Sequence, residues 1–304
     1  MVEEDKKNIS AWLALMRPGH WIKNGFVVVP LLFSHQFTEE QKCLDTLGAV
    51  LCFCAVSSAI YVFNDWCDRQ EDSQHPVKKQ RPIASGRISG GQAIILSIIL
   101  MFIGLWSGWY LGVKFFLIVM LYIVINAAYS LGIKHVAILD VMTIAGGFVL
   151  RIVGGSVAIS VAPSHWLVLC TIMVSMFLGF TKRRAELVAV DFGGGPTRKV
   201  LADYSVAFLD QVISMVTGAT IICYALYTVD SRTMGVLGSR AMLLTVPSVM
   251  YGLFRYIYLI YHLKKGEDPT GVLCRDVPMI INLLIWVVLS ILVVSCGGRI
   301  DLFD

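Results

Sequence analysis

In the run Asn64-Asp65-Trp66-Cys67-Asp68-Arg69-Gln70-Glu71-Asp72, an apolar stretch gives way to a cluster of oxygen-bearing side chains. On a helix of 3.6 residues per turn, Asn64, Asp68 and Asp72 stack on one face, with Asp65 one step aside. Carboxylates this close repel one another at neutral pH unless something cationic sits among them. A hard divalent ion, bound through the carboxylates and shared with a substrate diphosphate, relieves that repulsion, and Mg2+ suits the role best. A plain solvated helix end is the blander reading, but negative charge opposes the dipole at a helix C-terminus and needs compensation. Lys78, Lys79, Arg81 and Arg87 follow closely. Arg81 suits bidentate phosphate contact and Lys78 a point-charge contact. The two runs together read as the two halves of a diphosphate site.

A second polar run opens with Thr181-Lys182-Arg183-Arg184-Ala185-Glu186 and continues through Asp191, Gly193-Gly194-Gly195, Arg198 and Lys199 to Asp203-Tyr204. Lys182 and Glu186, four apart, share a helix face. Lys182 and Arg183 are candidates for anion binding. The glycine triplet lacks the Lys-Ser/Thr ending of a phosphate loop and reads as a hinge. Arg151 lies inside an apolar stretch, where ionisable groups face a cavity or a partner. Asp140, Gly147, Arg151, Gly154 and Gly155 fall on one stripe, so Arg151 either lines a cavity or makes a structural bond within a bundle. Arg17-Pro18-Gly19-His20-Trp21-Ile22-Lys23-Asn24 is either an interfacial anchor or brings Lys23 and Asn24 to a cavity mouth. Tyr129 and Lys134 close another apolar stretch. The histidines show no paired metal spacing, and the eight cysteines form neither a disulfide framework nor a zinc pattern.

The elements that carry these residues are apolar. The chain has 304 residues, 57% of them hydrophobic, with a mean hydropathy of +0.73, which excludes an ordinary soluble domain. Runs of about 20 apolar residues place nine spans near 25–38, 45–65, 91–110, 114–132, 138–160, 165–181, 207–229, 240–262 and 276–297. The first is short and interrupted by Pro30 and Ser34-His35-Gln36. Basic residues concentrate on alternate connections, which orients the N-terminus to the cytoplasm and the C-terminus outside. The expected fold is therefore an all-α, polytopic membrane helix bundle of nine transmembrane helices, N-in/C-out, forming a single catalytic domain. Two long cytoplasmic loops, about 66–90 and 182–206, would cap its active site in the cell (inner) membrane.

Asn64-Asp65-x-x-Asp68-x-x-x-Asp72, at the end of the second expected span, resembles the first motif of the UbiA-type intramembrane prenyltransferases, and the resemblance covers essentially the whole chain. Aromatic prenyltransferases of that superfamily carry a second Asp-rich DxxxD motif after the sixth span, where this chain has Lys182-Arg183-Arg184-Ala185-Glu186-Leu187. His75-Pro76-x-Lys78-x-x-Arg81-Pro82-Ile83-Ala84-x-Gly86, Arg17-Pro18-x-x-Trp21-x-Lys23-Asn24 and Tyr129-Ser130-x-Gly132-x-Lys134-His135 look like the decaprenyl-phosphate phosphoribosyltransferase branch. That resemblance implies Mg2+-dependent transfer of a 5-phosphoribosyl group from phosphoribosyl diphosphate (PRPP) to a polyprenyl phosphate, for cell-wall arabinose-lipid precursors. It implies Asn64, Asp65, Asp68 and Asp72 at the metal. Lys23, Asn24, Lys78, Arg81, Tyr129, Lys134, Arg151, Lys182, Arg183 and Glu186 are then expected on substrate. The expected partners are PRPP, the lipid phosphate and the bilayer, with no nucleic acid; a homo-oligomer stays open. Two rival readings are an aromatic prenyltransferase of quinone or haem biosynthesis, with Glu186 and Asp191 as a loose second motif, and a membrane transporter.

Overall fold

The computed structural model describes residues 10–74, 78–191, 199–237, 240–263 and 276–296. His75, Pro76, the Gly193–Gly195 run and Arg198 lie outside them. Every described element is helical, with no strand among the described residues. The long helices are α1 (Glu40–Cys67), α2 (Gly90–Tyr110), α3 (Val113–Leu131), α4 (Leu139–Ala158), α5 (His165–Asp191), α6 (Val206–Thr228), α7 (Val246–Leu263) and α8 (Val277–Cys296). Seven stretches are long and apolar enough to cross a membrane: α1 to α4, α5 through Ala189, α6, and Ala241–His262, which contains α7 up to its last residue. Val277–Val293 of α8 is a shorter apolar helix. The chain divides into two compact units, Met1–Lys134 with Leu150–Ala162, and His135–Val149 with Pro163–Asp304.

In the first unit the segment expected as the opening span, 25–38, is not one helix. It is broken into a 3-10 helix, Pro18–Val27, and a five-residue α-helix, Val29–Phe33. Pro18 and Pro30 each remove a backbone donor and so start new turns. The segment nevertheless runs antiparallel along α1. Arg17 meets Asp65, Trp21 donates to Ser58 Oγ at 3.0 Å, Asn24 to Cys54 Sγ at 3.1 Å, and Cys43 Sγ reaches the Phe37 carbonyl at 3.2 Å. That stretch of α1 is about 33 Å long at 1.5 Å per residue, the thickness of a hydrocarbon core.

The unit's core lies around Phe53, which meets Phe115 and Tyr122 edge to face, with Val27, Val56, Val119 and Leu150 beside them. Small residues let backbones approach. A Cβ on Gly155 would collide with the Val27 carbonyl, and one on Gly104 with the Val56 side chain. Ser89 and Gln92 form a capping box at the start of α2. Gly112, at φ +114°, makes the tight reversal into α3. α2 turns Ile98, Phe102, Trp106 and Trp109 outward, the arrangement lipid contact requires, since all backbone groups there are satisfied within the helix.

The second unit packs α5, α6, α7 and α8 around Phe177, Phe180, Leu209, Ile213, Tyr256 and Met279. Gly179 sits against Val141, where a larger residue would collide. Ser248 and Asn282 clasp α7 to α8 through two reciprocal hydrogen bonds, at 2.9 and 3.0 Å. Asp276 caps α8 through the Met279 N–H and holds Arg255 with both carboxylate oxygens. Helix α5 also differs from expectation. It continues through Lys182–Asp191, so the second polar run begins as helix and not as loop. Likewise, the first polar connection carries a short helix, Arg69–Gln74, and a 3-10 turn, Lys78–Gln80.

Gly155→Ala should lower the unfolding midpoint in detergent by an amount equivalent to about 1–3 kcal/mol of overpacking. Gly146→Ala, with open space around its Cβ, should leave the midpoint equal to or above that of the unaltered protein. Equal midpoints for the two variants would contradict the close approach at Val27.

Candidate active site

The acidic run sits at the C-terminal end of α1. Asp68 is the C-cap residue, donating its N–H to the Asn64 carbonyl, and the Asp72 N–H returns to the Asp68 carbonyl, so the next short helix nearly prolongs the first. The side chains part toward two sides. Asn64 accepts from Ser130 Oγ at 2.8 Å, and Asp68 faces Lys134 Nζ at 3.5 Å, both partners lying at or just past the end of α3. Asp65 and Asp72 are buried, at 4% and 3% exposure, and turn to a different set of cations.

Arg81 Nη1 donates to Asp65 Oδ1 at 2.9 Å and to Asp72 Oδ2 at 2.6 Å, bridging the two carboxylates. Arg17 Nη2 donates to the same Asp65 Oδ1 at 2.6 Å and lies over the Tyr61 ring. Lys78 Nζ stands 3.9 Å from Asp72 Oδ1. Arg17 was not among the residues expected on substrate; its 48-residue separation from Asp65 hides the pairing. Its backbone is left-handed, at φ 53°, strain of a kind that persists only where surroundings impose it. A small apolar core supplies that imposition. Ala11 and Leu15, just before Arg17, and Ile83 and Ile88, just after Arg81, pack together against Val62 of α1. One cluster therefore aims both guanidiniums at Asp65.

Asn64, Asp65, Asp68 and Asp72 are the hard oxygen donors that Mg2+ takes. Among the described residues, no three His, Cys, Asp or Glu side chains are grouped to hold a metal, because a guanidinium stands between Asp65 and Asp72. The donor chemistry fits the ion, on condition that Arg81 gives way.

Arg151 and Asn24 form a different network, deeper along α1. Arg151 Nε donates to Asn24 Oδ1 and its Nη2 to the Tyr122 hydroxyl, both at 2.8 Å, with the guanidinium 4.8 Å from the Tyr122 ring centre. Asn24 is fully buried and Arg151 nearly so. Arg151 thus makes bonds within the bundle, and Asn24 joins them. Lys23 and Tyr129 are half-buried in the same unit.

In the second unit, Arg183 is enclosed at 2% exposure. Its Nε donates to Asp140 Oδ2 at 2.6 Å and its Nη1 to Glu186 Oε2 at 2.7 Å. The Tyr204 hydroxyl donates to Asp140 Oδ1 at 2.7 Å and accepts the Ile138 N–H at 2.6 Å. Burial, with Asp140 beside it, pushes the Tyr204 phenol above its ordinary range, so it stays a donor. Arg183, expected on substrate together with Glu186, thus stands in a clamp joining α4, α5 and the approach to α6. Arg184, one residue on, pairs with Asp210 and stacks on Tyr261 at 3.7 Å, with Tyr261 also donating to Asp210. Lys182 is half-buried beside these networks.

Comparison with known proteins places this geometry. Residues 27–273 match the UbiA prenyltransferase family. The decaprenyl-phosphate phosphoribosyltransferase of Mycolicibacterium smegmatis is 30% identical over 292 residues, covering 93% of this chain and 92% of the relative. That of Mycobacterium tuberculosis H37Rv is 28% identical over 276 residues, 90% of each chain. A solved UbiA homolog from Archaeoglobus fulgidus, bound to GPP and Mg2+, shares the fold with a TM-score of 0.69 at 18% identity, over 94% of this chain and 99% of that one. With an acidic helix end in one unit, a basic one in the other and apolar helices throughout, this chain belongs to the UbiA prenyltransferase family, as a transferase that groups with the decaprenyl-phosphate phosphoribosyltransferases.

Proposed function

We propose that the protein transfers the 5-phosphoribosyl group of PRPP to the phosphate of a polyprenyl phosphate such as decaprenyl phosphate, releasing diphosphate. The observation that carries this reading is the basic run Lys182-Arg183-Arg184 on α5. The aromatic prenyltransferases it resembles otherwise have a second acidic motif at that place. A prenyl diphosphate donor brings one diphosphate, which two acidic motifs can hold through metal ions. PRPP brings a diphosphate and a separate 5-phosphate, and the lipid acceptor brings a further phosphate. One acidic motif then suffices, and the remaining anions call for cations. The relatives named for this activity, similar over nine-tenths of the chain, support the same choice.

In this mechanism Asn64, Asp65, Asp68 and Asp72 are the residues that would hold Mg2+. When bound, Mg2+ neutralises the diphosphate and makes it a better leaving group. Arg81, Lys78 and Lys134 supply positive charge to phosphate oxygens, and Lys182 is assigned to another phosphate of the substrates. The ribose C1–O bond breaks toward the diphosphate, and an oxygen of the lipid phosphate forms the new C1–O bond from the opposite face. The acceptor oxygen is already anionic at neutral pH, so no strong base is needed. Positioning and charge stabilisation supply most of the rate. The proposed setting is the cell membrane, crossed nine times if the broken segment along α1 and α8 each span it, with the N-terminus and the acidic helix end cytoplasmic. The product, a phosphoribosyl lipid, would serve as a precursor of arabinose lipids for the cell wall.

Membranes containing the protein, given labelled PRPP, polyprenyl phosphate and Mg2+, should form a labelled phosphoribosyl lipid. Absence of that lipid, with prenylation of an aromatic acceptor instead, would overturn the reading. Asp68→Asn should lower kcat/KM by about 10²-fold, the scale of losing one charge-stabilising group, with the elution profile in detergent unchanged. Lys182→Ala should raise the KM for PRPP or lipid phosphate about tenfold, the equivalent of one charge-assisted contact. Arg183→Ala should instead lower the unfolding midpoint, because it leaves Asp140 buried without its guanidinium, a change of about 3–5 kcal/mol.

A further inference from the structure

Around the end of α1, three carboxylates, Asp65, Asp68 and Asp72, stand among four cations, Arg17, Lys78, Arg81 and Lys134. The carboxylates are thus compensated by the chain's own cations. Adding a bare divalent cation would set it against guanidiniums that hold the two most buried carboxylates. Adding the same cation together with a diphosphate changes the balance, because the phosphate oxygens accept from guanidinium as readily as carboxylates do.

We propose that Arg81 is a guanidinium gate: it occupies Asp65 and Asp72 in the empty site and transfers to phosphate as a metal–diphosphate complex enters, so that the metal binds with the diphosphate and not ahead of it. Three features support the exchange. A single nitrogen, Nη1, makes both carboxylate contacts, so one rotation releases both. The guanidinium is about a quarter exposed, whereas the carboxylates it covers are buried, so its path leads toward solvent. Its backbone is fixed on both sides, by the Arg81 N–H to the Lys78 carbonyl and by the Ser85 N–H to the Arg81 carbonyl, which confines the movement to the side chain. Arg17 keeps its bond to Asp65 during the exchange and is the positioning residue for that carboxylate. The gate rests on the proposed function only in that a diphosphate is what receives the guanidinium.

The test uses full-length protein in detergent, with Mn2+ alone as the metal probe, followed by electron paramagnetic resonance, and inorganic diphosphate with excess Mg2+ as the second probe, followed by calorimetry. Arg81→Gln should bind Mn2+ alone at least tenfold more tightly than the unaltered protein, and Mg-diphosphate at least tenfold more weakly. Arg81→Lys, which keeps the charge but lacks the planar fork, should shift Mn2+ binding in the same direction by less, and it serves should Arg81→Gln fail to fold. Opposite signs for the two probes distinguish a gate from a merely structural arginine, whose loss weakens both. Mn2+ affinity unchanged or reduced in the variants would overturn the proposal. Neither measurement needs PRPP or lipid, so the gate can stand or fall separately from the transfer reaction.

Discussion

A buried carboxylate near a membrane must have a partner, and in this protein the partner is a guanidinium. Stripping water from a carboxylate and leaving it alone costs several kcal/mol, more than any one helix contact returns. Asp65 and Asp72 meet Arg81 and Arg17; Asp140 meets Arg183. The pairings of Arg17 with Asp65 and of Arg183 with Asp140 join residues 48 and 43 apart in the chain, so each also fixes a path for the backbone. Arg17 can reach Asp65 only if the chain then descends along α1, and the broken segment of short helices does so. Arg183 can reach Asp140 only if α5 remains helical past its apolar stretch, as it does to Asp191.

The second of these constraints explains where sequence reading stopped short. Hydropathy ends the fifth long helix at Thr181, because Lys182-Arg183-Arg184 follows, and a polar run reads as a loop. Yet Ala185, Glu186 and Leu187 are good helix formers, and Arg183 to Glu186 is an i,i+3 pair that belongs to a helix. The signal was present but outweighed by polarity. The opening segment failed for the converse reason. Its apolar residues lead one to expect a regular spanning helix, but Pro30 breaks it, and only the partners along α1 reveal its course. The other long apolar runs were legible because about 20 apolar residues leave few structures besides a membrane helix.

At the site, residue types were legible and pairings were not. The acidic run was read from the repulsion it implies, which holds whatever neutralises it. The segment from Arg17 to Asn24 reads equally as an interfacial anchor or as the approach to a cavity mouth, because arginine beside tryptophan near an apolar stretch is the usual interfacial pattern. Nothing local distinguishes that use from a contact 48 residues away. Arg151 shows the same limit in milder form. Its depth requires partners, but not that they include an amide, a phenol hydroxyl and the face of the same phenol ring. A carboxylate partner would leave a neutral pair. Asn24 and Tyr122 disperse the charge over neutral dipoles and a ring instead, and they tie α4 to both α3 and the broken segment.

The two arginine settings differ in a way that bears on function. Arg183 is enclosed, with Asp140 fixed on its other side by Tyr204 and the Ile138 backbone. Moving it would strand a carboxylate and a phenol together. Among the described residues the Arg81 side chain is held by carboxylates, and it reaches the surface, so an anion with more oxygens can compete for it. Guanidinium binds carboxylate and phosphate through the same geometry, so one side chain can stabilise the empty protein and then the loaded one. A lysine in its place could satisfy the charge but not offer a phosphate the planar, bidentate fork of a guanidinium. Arginine at position 81 follows from that double demand, and its fold-stabilising contact and its proposed work on substrate are two uses of one property.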